Sequence, residues 1–353
     1  MMNIKWWKFL GVLIILYTFL AGMLVPLKPG IIEVNPRSVK TGETVRLKVL
    51  GYNSRYEEEQ GPLRAWLKLD GERALGAQQI EVKDSRTLEI VFAIPSYLPV
   101  TKRVQDFSLI IDGDADGTAV LPTAVLVTQD SIDPAQGELA WINSPINDLK
   151  ITKGMTFPFR PILYETIRNT YFHVALWLAM MLLFILAVYY SVRYLRNPLP
   201  IWDSKARAYT AVGLFFGIMG LLTGMIWATY TWGKPWSNDV KQITTVIALL
   251  VYLAYFILRS AFEDPEKKGR ISAVYNVFAF VLLIPLIYVI PRMVDSLHPG
   301  AGGNPAFGSE DLDNTMRMVF YPAIIGWTLI GAWMANLQYR IDAIQEKWIE
   351  KIG

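Results

Sequence analysis

Apolar residues fall into six long runs, each of about the length needed to cross a membrane. A helix that spans the hydrocarbon core of a bilayer takes about 20 predominantly apolar residues. The first run lies near the amino terminus, at residues 9–27. The other five follow a long polar region and cover 171–191, 208–228, 242–259, 272–290 and 318–336. This pattern predicts a mainly α membrane protein whose spans form a six-helix transmembrane bundle.

The polar region between the first two runs has a different pattern. Segments such as TVRLKVLGYN, TLEIVFAIP and FSLIIDGD alternate polar and apolar residues, and glycines such as Gly51 and Gly71 separate them. Alternation of this kind is typical of antiparallel strands. About seven strands in roughly 110 residues predict an all-β, immunoglobulin-like sandwich. Its opening, IIEVNPRSVKTGETVRLKVLGYNS, resembles domains of the IPT/TIG type.

These patterns divide the chain into four predicted parts. Residues 1–28 hold the first transmembrane helix, which we expect to be an uncleaved anchor. Residues 29–150 form the sandwich, and 151–336 form a membrane domain of five helices. The tail, 337–353, repeats large apolar residues at helical spacing and predicts an amphipathic helix on the cytoplasmic side.

Lysine and arginine predict how the spans are oriented. They cluster before the first run, between the second and third, between the fourth and fifth, and after the last. Because cationic segments stay in the cytoplasm, both ends of the chain are predicted to be inside. The segments 27–170, 229–241 and 291–317 then face outward. The net charge of +3 is small and gives no reason to expect a nucleic-acid partner.

An acidic stretch, DGDADG at 112–117, has two interpretations. Its Asp-x-Asp-x-Asp spacing matches the start of a calcium-binding EF-hand loop. Such a loop needs a bidentate Glu at its twelfth position, which here is Thr123. Strand-like segments also flank the stretch on both sides. We therefore expect a solvated hairpin turn rather than a calcium site.

The chain has no cysteine and only two histidines, His173 and His298. The absence of cysteine excludes disulfides, thiolate metal sites and covalent attachment of a c-type haem. Both histidines are predicted on the outer side. Two imidazoles are too few for an ordinary zinc site but are sufficient as the two axial ligands of a haem iron. Between them lies TYTWGKPWSNDVKQ, 229–242, which offers an aromatic wall in Trp232 and Trp236. Cations for the haem propionates are available in Lys241 and in Arg168.

Three motifs in order, TYFHVALW, WGKPWSNDVK and DSLHPG, resemble the cytochrome c maturation protein C (CcmC) family of tryptophan-rich, WWD-type haem-handling proteins. The resemblance implies six spans and haem b (iron protoporphyrin IX) held at the outer face. It implies a role for each of nine residues. His173 and His298 are the axial ligands, Trp232, Gly233 and Trp236 form a platform, Arg168 and Lys241 neutralise propionates, and Asp239 orients Lys241 or caps the following helix. The ninth residue, Asn238, stands where the family has a third tryptophan and is available to donate a hydrogen bond.

The resemblance also implies a function and partners. A protein of this family is not an enzyme, although a haem-lyase-like role is conceivable. It presents haem to a periplasmic haem chaperone (CcmE type) during maturation of c-type cytochromes. Its other partners are an ABC transporter ATPase and membrane subunit (CcmA and CcmB) and a small single-span protein (CcmD type). The resemblance places the protein in the bacterial inner membrane, with the sandwich and the haem site facing the periplasm. The sandwich insert has no counterpart in the usual family pattern.

Three other functions remain open at this stage. A b-type cytochrome that transfers electrons also uses two histidines, but usually inside its spans. The related cytochrome c synthases carry more spans and more histidines. A membrane-anchored adhesion or assembly module would use its tryptophans only as an interfacial belt. The polar, glycine-rich segment 301–317 is a further candidate, as a gate for haem access.

Overall fold

A computed structural model describes residues 5–298 and 312–352. It separates into two compact units. One comprises residues 1–25 and 165–353, and the other comprises 26–164. Most of the segment proposed above as a gate, residues 301–311, lies outside the described residues. The domain boundaries drawn from the sequence remain predictions.

Six helices of the first unit are long and apolar enough to cross a membrane. They confirm the predicted fold class, a multi-pass helical bundle accompanied by a β domain. The six helices are α1 (Trp6–Leu24), α3 (His173–Arg196), α4 (Pro200–Trp232), α5 (Val240–Ser260), α6 (Pro265–Ile284) and α8 (Asn314–Ile352). A short helix of the second unit, α2, covers Pro134–Ala140.

The helices are longer than the apolar runs that predict them. At 1.5 Å per residue, the 33 residues of α4 extend about 50 Å, whereas the hydrocarbon core of a bilayer is about 30 Å thick. Both ends of α4 therefore reach beyond the apolar layer, where charged and aromatic side chains meet lipid headgroups. The predicted tail is a direct continuation of the last span, because α8 runs unbroken to Ile352.

Glycines on one face of α4 bring α3 close to it. A β-carbon on Gly213 would lie 2.6 Å from Phe184, and one on Gly220 would lie 2.8 Å from Trp177. Small residues let neighbouring membrane helices approach until their backbones nearly touch. Gly224 continues this face toward the carboxyl-terminal end of α4, where its missing β-carbon leaves room for His173.

Helix α6 ends in an irregular segment that leads to the second histidine. A π-helical turn covers Pro285–Val289, a short helix α7 covers Ile290–Met293, and the chain is then non-helical up to His298. π-Helical turns are rare and occur frequently near functional sites. His298 is therefore attached to the bundle through an irregular connection, whereas His173 begins a regular helix.

The second unit is a two-layered β-sandwich with nine strands, so the predicted number of seven was too low. One sheet has the order β1-β3-β7-β6 and the other has the order β2-β9-β8-β4-β5. The strands are β1 (Gly30–Asn35), β2 (Ser38–Lys40), β3 (Thr44–Tyr52), β4 (Arg64–Lys68), β5 (Ala74–Gly76), β6 (Gln79–Asp84), β7 (Thr87–Ala93), β8 (Val104–Gly113) and β9 (Gly117–Thr128). β2 and β5 have three residues each, too few to show alternation.

The pairing within the sandwich departs from the prediction in one place. Strand β2 runs parallel to β9, whereas all other pairs are antiparallel as expected. Inward-facing residues such as Leu47, Ile90 and Phe107 are fully buried between the sheets. The more specific assignment to the IPT/TIG type remains a prediction.

The acidic stretch is a hairpin turn between β8 and β9, as predicted, but it is not solvated throughout, because Asp112 and Asp116 are buried. Asp112 is buried, and it accepts hydrogen bonds from Arg64, from the Thr118 hydroxyl (2.6 Å) and from the Lys150 amide (2.7 Å). Asp116 accepts from the Arg55 amide, and Asp114 pairs with Lys150. Because all three carboxylates bind groups of the protein itself, they do not form an open set of calcium ligands.

Replacement of Asp112 by asparagine is expected to destabilise the sandwich by about 1–3 kcal/mol, because buried donors lose their charged acceptor. Burial opposes ionisation of Asp112, but its hydrogen bonds from Thr118, Lys150 and Arg64 hold the pKa below the ordinary value. This stabilisation is therefore present at neutral pH and is lost on acidification. The measurement is hydrogen exchange of the β8 and β9 amides.

Asp114→Asn in the same hairpin is the matched control. Its pair with Lys150 is about half exposed, so its loss is expected to cost under about 1 kcal/mol. Equal effects of the two substitutions would contradict the assigned role of Asp112.

Candidate functional site

His173 is the first residue of α3 and lies against the carboxyl-terminal part of α4. Its Nδ1 atom is 2.9 Å from the Gly220 carbonyl oxygen and 3.1 Å from the Thr223 hydroxyl oxygen. A carbonyl only accepts hydrogen bonds, so Nδ1 carries the proton and donates it. Nε2 is then unprotonated. Histidines that bind metals commonly donate their other ring N–H to a carbonyl or carboxylate in this way.

The close packing of α3 on α4 makes the position of His173 sensitive to one glycine. A β-carbon on Gly224 would lie 2.7 Å from His173 Cε1, so Gly224→Ala is expected to displace the imidazole. If His173 is a haem ligand, the variant should lose low-spin haem absorption. Gly213→Ala is the control, since it crowds Phe184 in the same interface but lies three helical turns away. Loss of the low-spin bands in both variants would show a general packing defect instead.

His298 lies between two tryptophans at the carboxyl end of α4. Its ring centroid is 5.7 Å from that of Trp227 and 5.1 Å from that of Trp232. The two indoles are 5.0 Å apart and nearly perpendicular. Trp232 therefore lies beside a histidine, and its role in a haem platform stays a prediction. Trp227 was not among the predicted site residues, yet its indole contacts both His298 and Trp232.

Asp239 connects the loop between α4 and α5 to the segment that carries His298. Its carboxylate accepts hydrogen bonds from the Ser296 hydroxyl (2.9 Å) and from the Leu297 amide (2.8 Å). His298 Nδ1 lies 3.4 Å from Asp239 Oδ1. The same carboxylate accepts from the Lys241 amide at 2.9 Å and is the N-cap of α5, which confirms the predicted cap. The chain thus uses one buried side chain to begin a helix and to hold His298.

The charges around Asp239 and His298 favour one ionised and one neutral group. Burial opposes ionisation of Asp239, but the nearby His298 imidazole and hydrogen bonds from Leu297 and Ser296 keep its pKa well below the ordinary value. Burial lowers the pKa of His298; the nearby Asp239 carboxylate raises it, and the charge of Lys241 lowers it further, with a net decrease. His298 is therefore neutral at pH 7, the form in which an imidazole binds a metal.

The loop between α4 and α5 is held by local hydrogen bonds. Gly233 ends α4 in the left-handed conformation, with φ = 79°, and the space beside it is open. Glycine adopts this left-handed conformation without strain, which explains why a glycine ends the helix. Trp236 donates its indole N–H to the Asn238 side-chain oxygen at 2.6 Å. Asn238 was expected to donate a hydrogen bond, but in this contact it accepts one.

Gln242 was not predicted, yet its side chain fixes the same loop. Its oxygen accepts from the Ser237 amide at 2.9 Å, and its nitrogen donates to the Pro235 carbonyl at 3.1 Å. Gln242 is buried and lies in the first turn of α5. The loop therefore has a fixed path from Pro235 to the start of α5.

The two predicted cations occupy different surroundings. Lys241 is half-buried, and its charge acts on His298, so it lies at the site. Arg168 donates to the carbonyls of Gly22 (2.8 Å) and Val25 (2.7 Å) and pairs with Glu165. A cation at the carboxyl end of a helix stabilises its free carbonyls and its dipole. The described contacts of Arg168 thus hold the end of α1.

These residues lie together at the carboxyl-terminal end of α4 and comprise two histidines, an aromatic wall and a cation. His173 lies against the face formed by Gly220, Thr223 and Gly224, and one turn further on this face carries Trp227, which contacts His298. Within the described residues, no group of three His, Cys, Asp or Glu side chains could hold a metal ion. Two imidazoles beside aromatic rings suit a metal that already has its own equatorial ligands, as haem iron does.

Comparison with known proteins agrees with these features. The model of the family described as CcmC, heme exporter protein C, matches residues 153–351, which is more than half of the chain. The sandwich strands lie outside that match. Three curated relatives carry the name heme exporter protein C. The protein of Bradyrhizobium diazoefficiens is 29% identical over 131 residues, which are 37% of this chain and 49% of the relative.

The other two relatives are more distant in sequence. The protein of Haemophilus influenzae is 24% identical over 150 residues, 41% of this chain and 60% of the relative. The protein of Escherichia coli is 24% identical over 190 residues, 46% of this chain and 76% of the relative. The chain thus matches about half to three quarters of the length of these relatives.

Proposed function

This chain belongs to the heme exporter protein C family, and from that membership we propose that it binds haem b as cargo during maturation of c-type cytochromes. The observation that carries the proposal is that His173 and His298 both lie at one end of α4. His173 has its Nδ1 bonded to the Gly220 carbonyl, and His298 has its Nδ1 directed toward Asp239. Both arrangements leave Nε2 as the free nitrogen for an iron atom.

The contacts suggest a role for each neighbouring residue. Trp227 and Trp232 form the wall beside His298, while Gly233, Trp236 and Asn238 shape the loop that continues it. Lys241 supplies positive charge for a propionate. Arg168 has a predicted role at a propionate as well, but its bonds to α1 favour a role in positioning the start of α3. Asp239 orients His298 and does not itself contact iron.

The two histidines differ in ways that suit a protein that passes haem on. His173 is fixed at the start of a long helix. His298 lies in a non-helical segment behind a π-helical turn and is held by the hydrogen bonds of Asp239. We assign the exchangeable ligand to His298, because breaking those bonds frees its segment without unfolding a helix. Ligands at helix ends also distinguish this site from an electron-transferring cytochrome, which usually encloses its haem within the bundle.

The proposal includes location and partners. The cationic helix ends support a location of the site on the outer side of a bacterial inner membrane. The recipient is a periplasmic haem chaperone of the CcmE type. The transporter subunits are of the CcmA and CcmB types, with a small single-span protein of the CcmD type. The chain acts as a handling component of this assembly rather than as an enzyme.

A transfer experiment tests this function. The purified, haem-loaded protein is mixed with the haem chaperone, the two are separated, and haem is measured on each by its absorption spectrum. We expect haem to move to the chaperone. Retention of all haem by this protein, together with its rapid reduction by a quinol, would instead support electron transfer.

A further inference from the structure

A cluster of cations and aromatic rings lies at the opposite, inner end of the bundle, outside the haem site. Arg193 lies over the ring of Trp202, with 4.6 Å between its guanidinium carbon and the ring centroid. The Lys205 ammonium is 5.1 Å from the same ring, 5.4 Å from Tyr190 and 5.8 Å from Tyr339. The cluster therefore joins α3, α4 and α8 around two positive charges.

These two charges have no negative partner among the residues that the structure describes. The nearest acidic residues along α4 and α8 are already committed, since Asp203 pairs with Arg259 and Asp342 pairs with Arg207. Because both groups lie about 5 Å from one ring, Arg193 and Lys205 are no more than about 10 Å apart. Two cations held this close repel each other unless an anion lies between them.

A third donor in the cluster also lacks a partner. The indole nitrogen of Trp202 is buried and makes no hydrogen bond to any described residue. An unsatisfied buried N–H destabilises a structure, so a missing acceptor is expected there. Helix α4 begins beside it at Pro200, without a side-chain cap.

We propose that Arg193, Lys205 and the indole N–H of Trp202 bind the phosphate of an anionic phospholipid. Helix ends of a membrane bundle lie at headgroup depth, and basic pockets between spans bind anionic headgroups. The aromatic rings suit the same depth, because they are apolar on their faces and polar at one edge. A bound lipid would tie the α3–α4 turn to α8. The site is independent of the proposed haem function.

The test measures how lipid changes the thermal unfolding of the full chain in detergent. Phosphatidylglycerol, phosphatidylcholine and inorganic phosphate are added separately, and bound lipid is counted by native mass spectrometry. Phosphatidylglycerol is expected to raise the unfolding temperature and to remain bound. Each cation near a membrane surface contributes about fivefold to the affinity, so Arg193→Gln/Lys205→Gln should bind it about 25-fold more weakly.

A matched variant and a conservative variant make the result specific. Lys267→Gln/Lys268→Gln removes the same charge from the amino end of α6 and should bind the lipid as the parent does. Trp202→Phe keeps a ring for the cations but loses the N–H, and should bind at an intermediate level. The proposal is overturned if both double variants bind equally, if phosphatidylcholine stabilises as well, or if inorganic phosphate alone reproduces the effect.

Discussion

Replacing His173 or His298 by alanine is expected to convert low-spin haem in this protein to a five-coordinate, high-spin form and to lower its haem content by at least about tenfold. Each variant loses one of two axial ligands, and loss even of an outer partner of a metal ligand weakens binding by about 10- to 100-fold. The double variant should bind no haem specifically, because the described part of the chain offers no third imidazole. Absorption and pyridine haemochrome spectra of the purified proteins measure both quantities.

Rescue separates the loss of a ligand from a loss of folding. Imidazole added to either single variant should restore the low-spin bands, since it fills the space of the missing ring. The thermal unfolding of the haem-free variants should match that of the haem-free parent. Parent-like haem content and spectra in both single variants would refute the assignment of these residues as ligands.

Replacing Asp239 by alanine is expected to weaken haem binding by about 10- to 100-fold while leaving both histidines in place. The substitution removes the hydrogen bonds to Ser296 and Leu297 and the acceptor beside His298 Nδ1. It also removes the cap of α5, which is expected to cost about 1 kcal/mol. In the haem-free protein, the Leu297 amide should exchange its hydrogen faster.

Asp264 offers a matched control for this substitution. It caps α6 by accepting from the amides of Glu266 and Lys267, and it belongs to a different loop. Asp264→Ala should therefore lose a similar capping energy and keep the parent's haem affinity. If the two variants bind haem equally, Asp239 is a cap and does not position His298.

Rare residue types made the main parts of this site predictable. A chain with two histidines and no cysteine leaves few possible metal ligands. Six apolar runs place both histidines and the WGKPW loop on one side, and Asp239 precedes an apolar run where a cap is expected. The six spans and the β domain followed from the same periodicities. The individual haem contacts remain predictions.

The unpredicted residues are common types whose role depends on how distant segments meet. Ser296 and Asp239 are 57 positions apart, and their contact follows from the path of the chain after the π-helical turn. Thr223 and Gly220 matter because α3 packs closely enough for His173 to reach a backbone carbonyl. Arg168 was predicted at a haem propionate from the family resemblance, whereas its described bonds lead to α1.

The most direct measurement of the central claim is the near-infrared magnetic circular dichroism of the purified protein loaded with ferric haem. This band identifies the pair of axial ligands independently of haem content. Ligation by His173 and His298 predicts the band of bis-imidazole, low-spin iron in the parent and its loss in each alanine variant. A high-spin spectrum in the parent, or a bis-imidazole band that survives His298→Ala, would contradict the account.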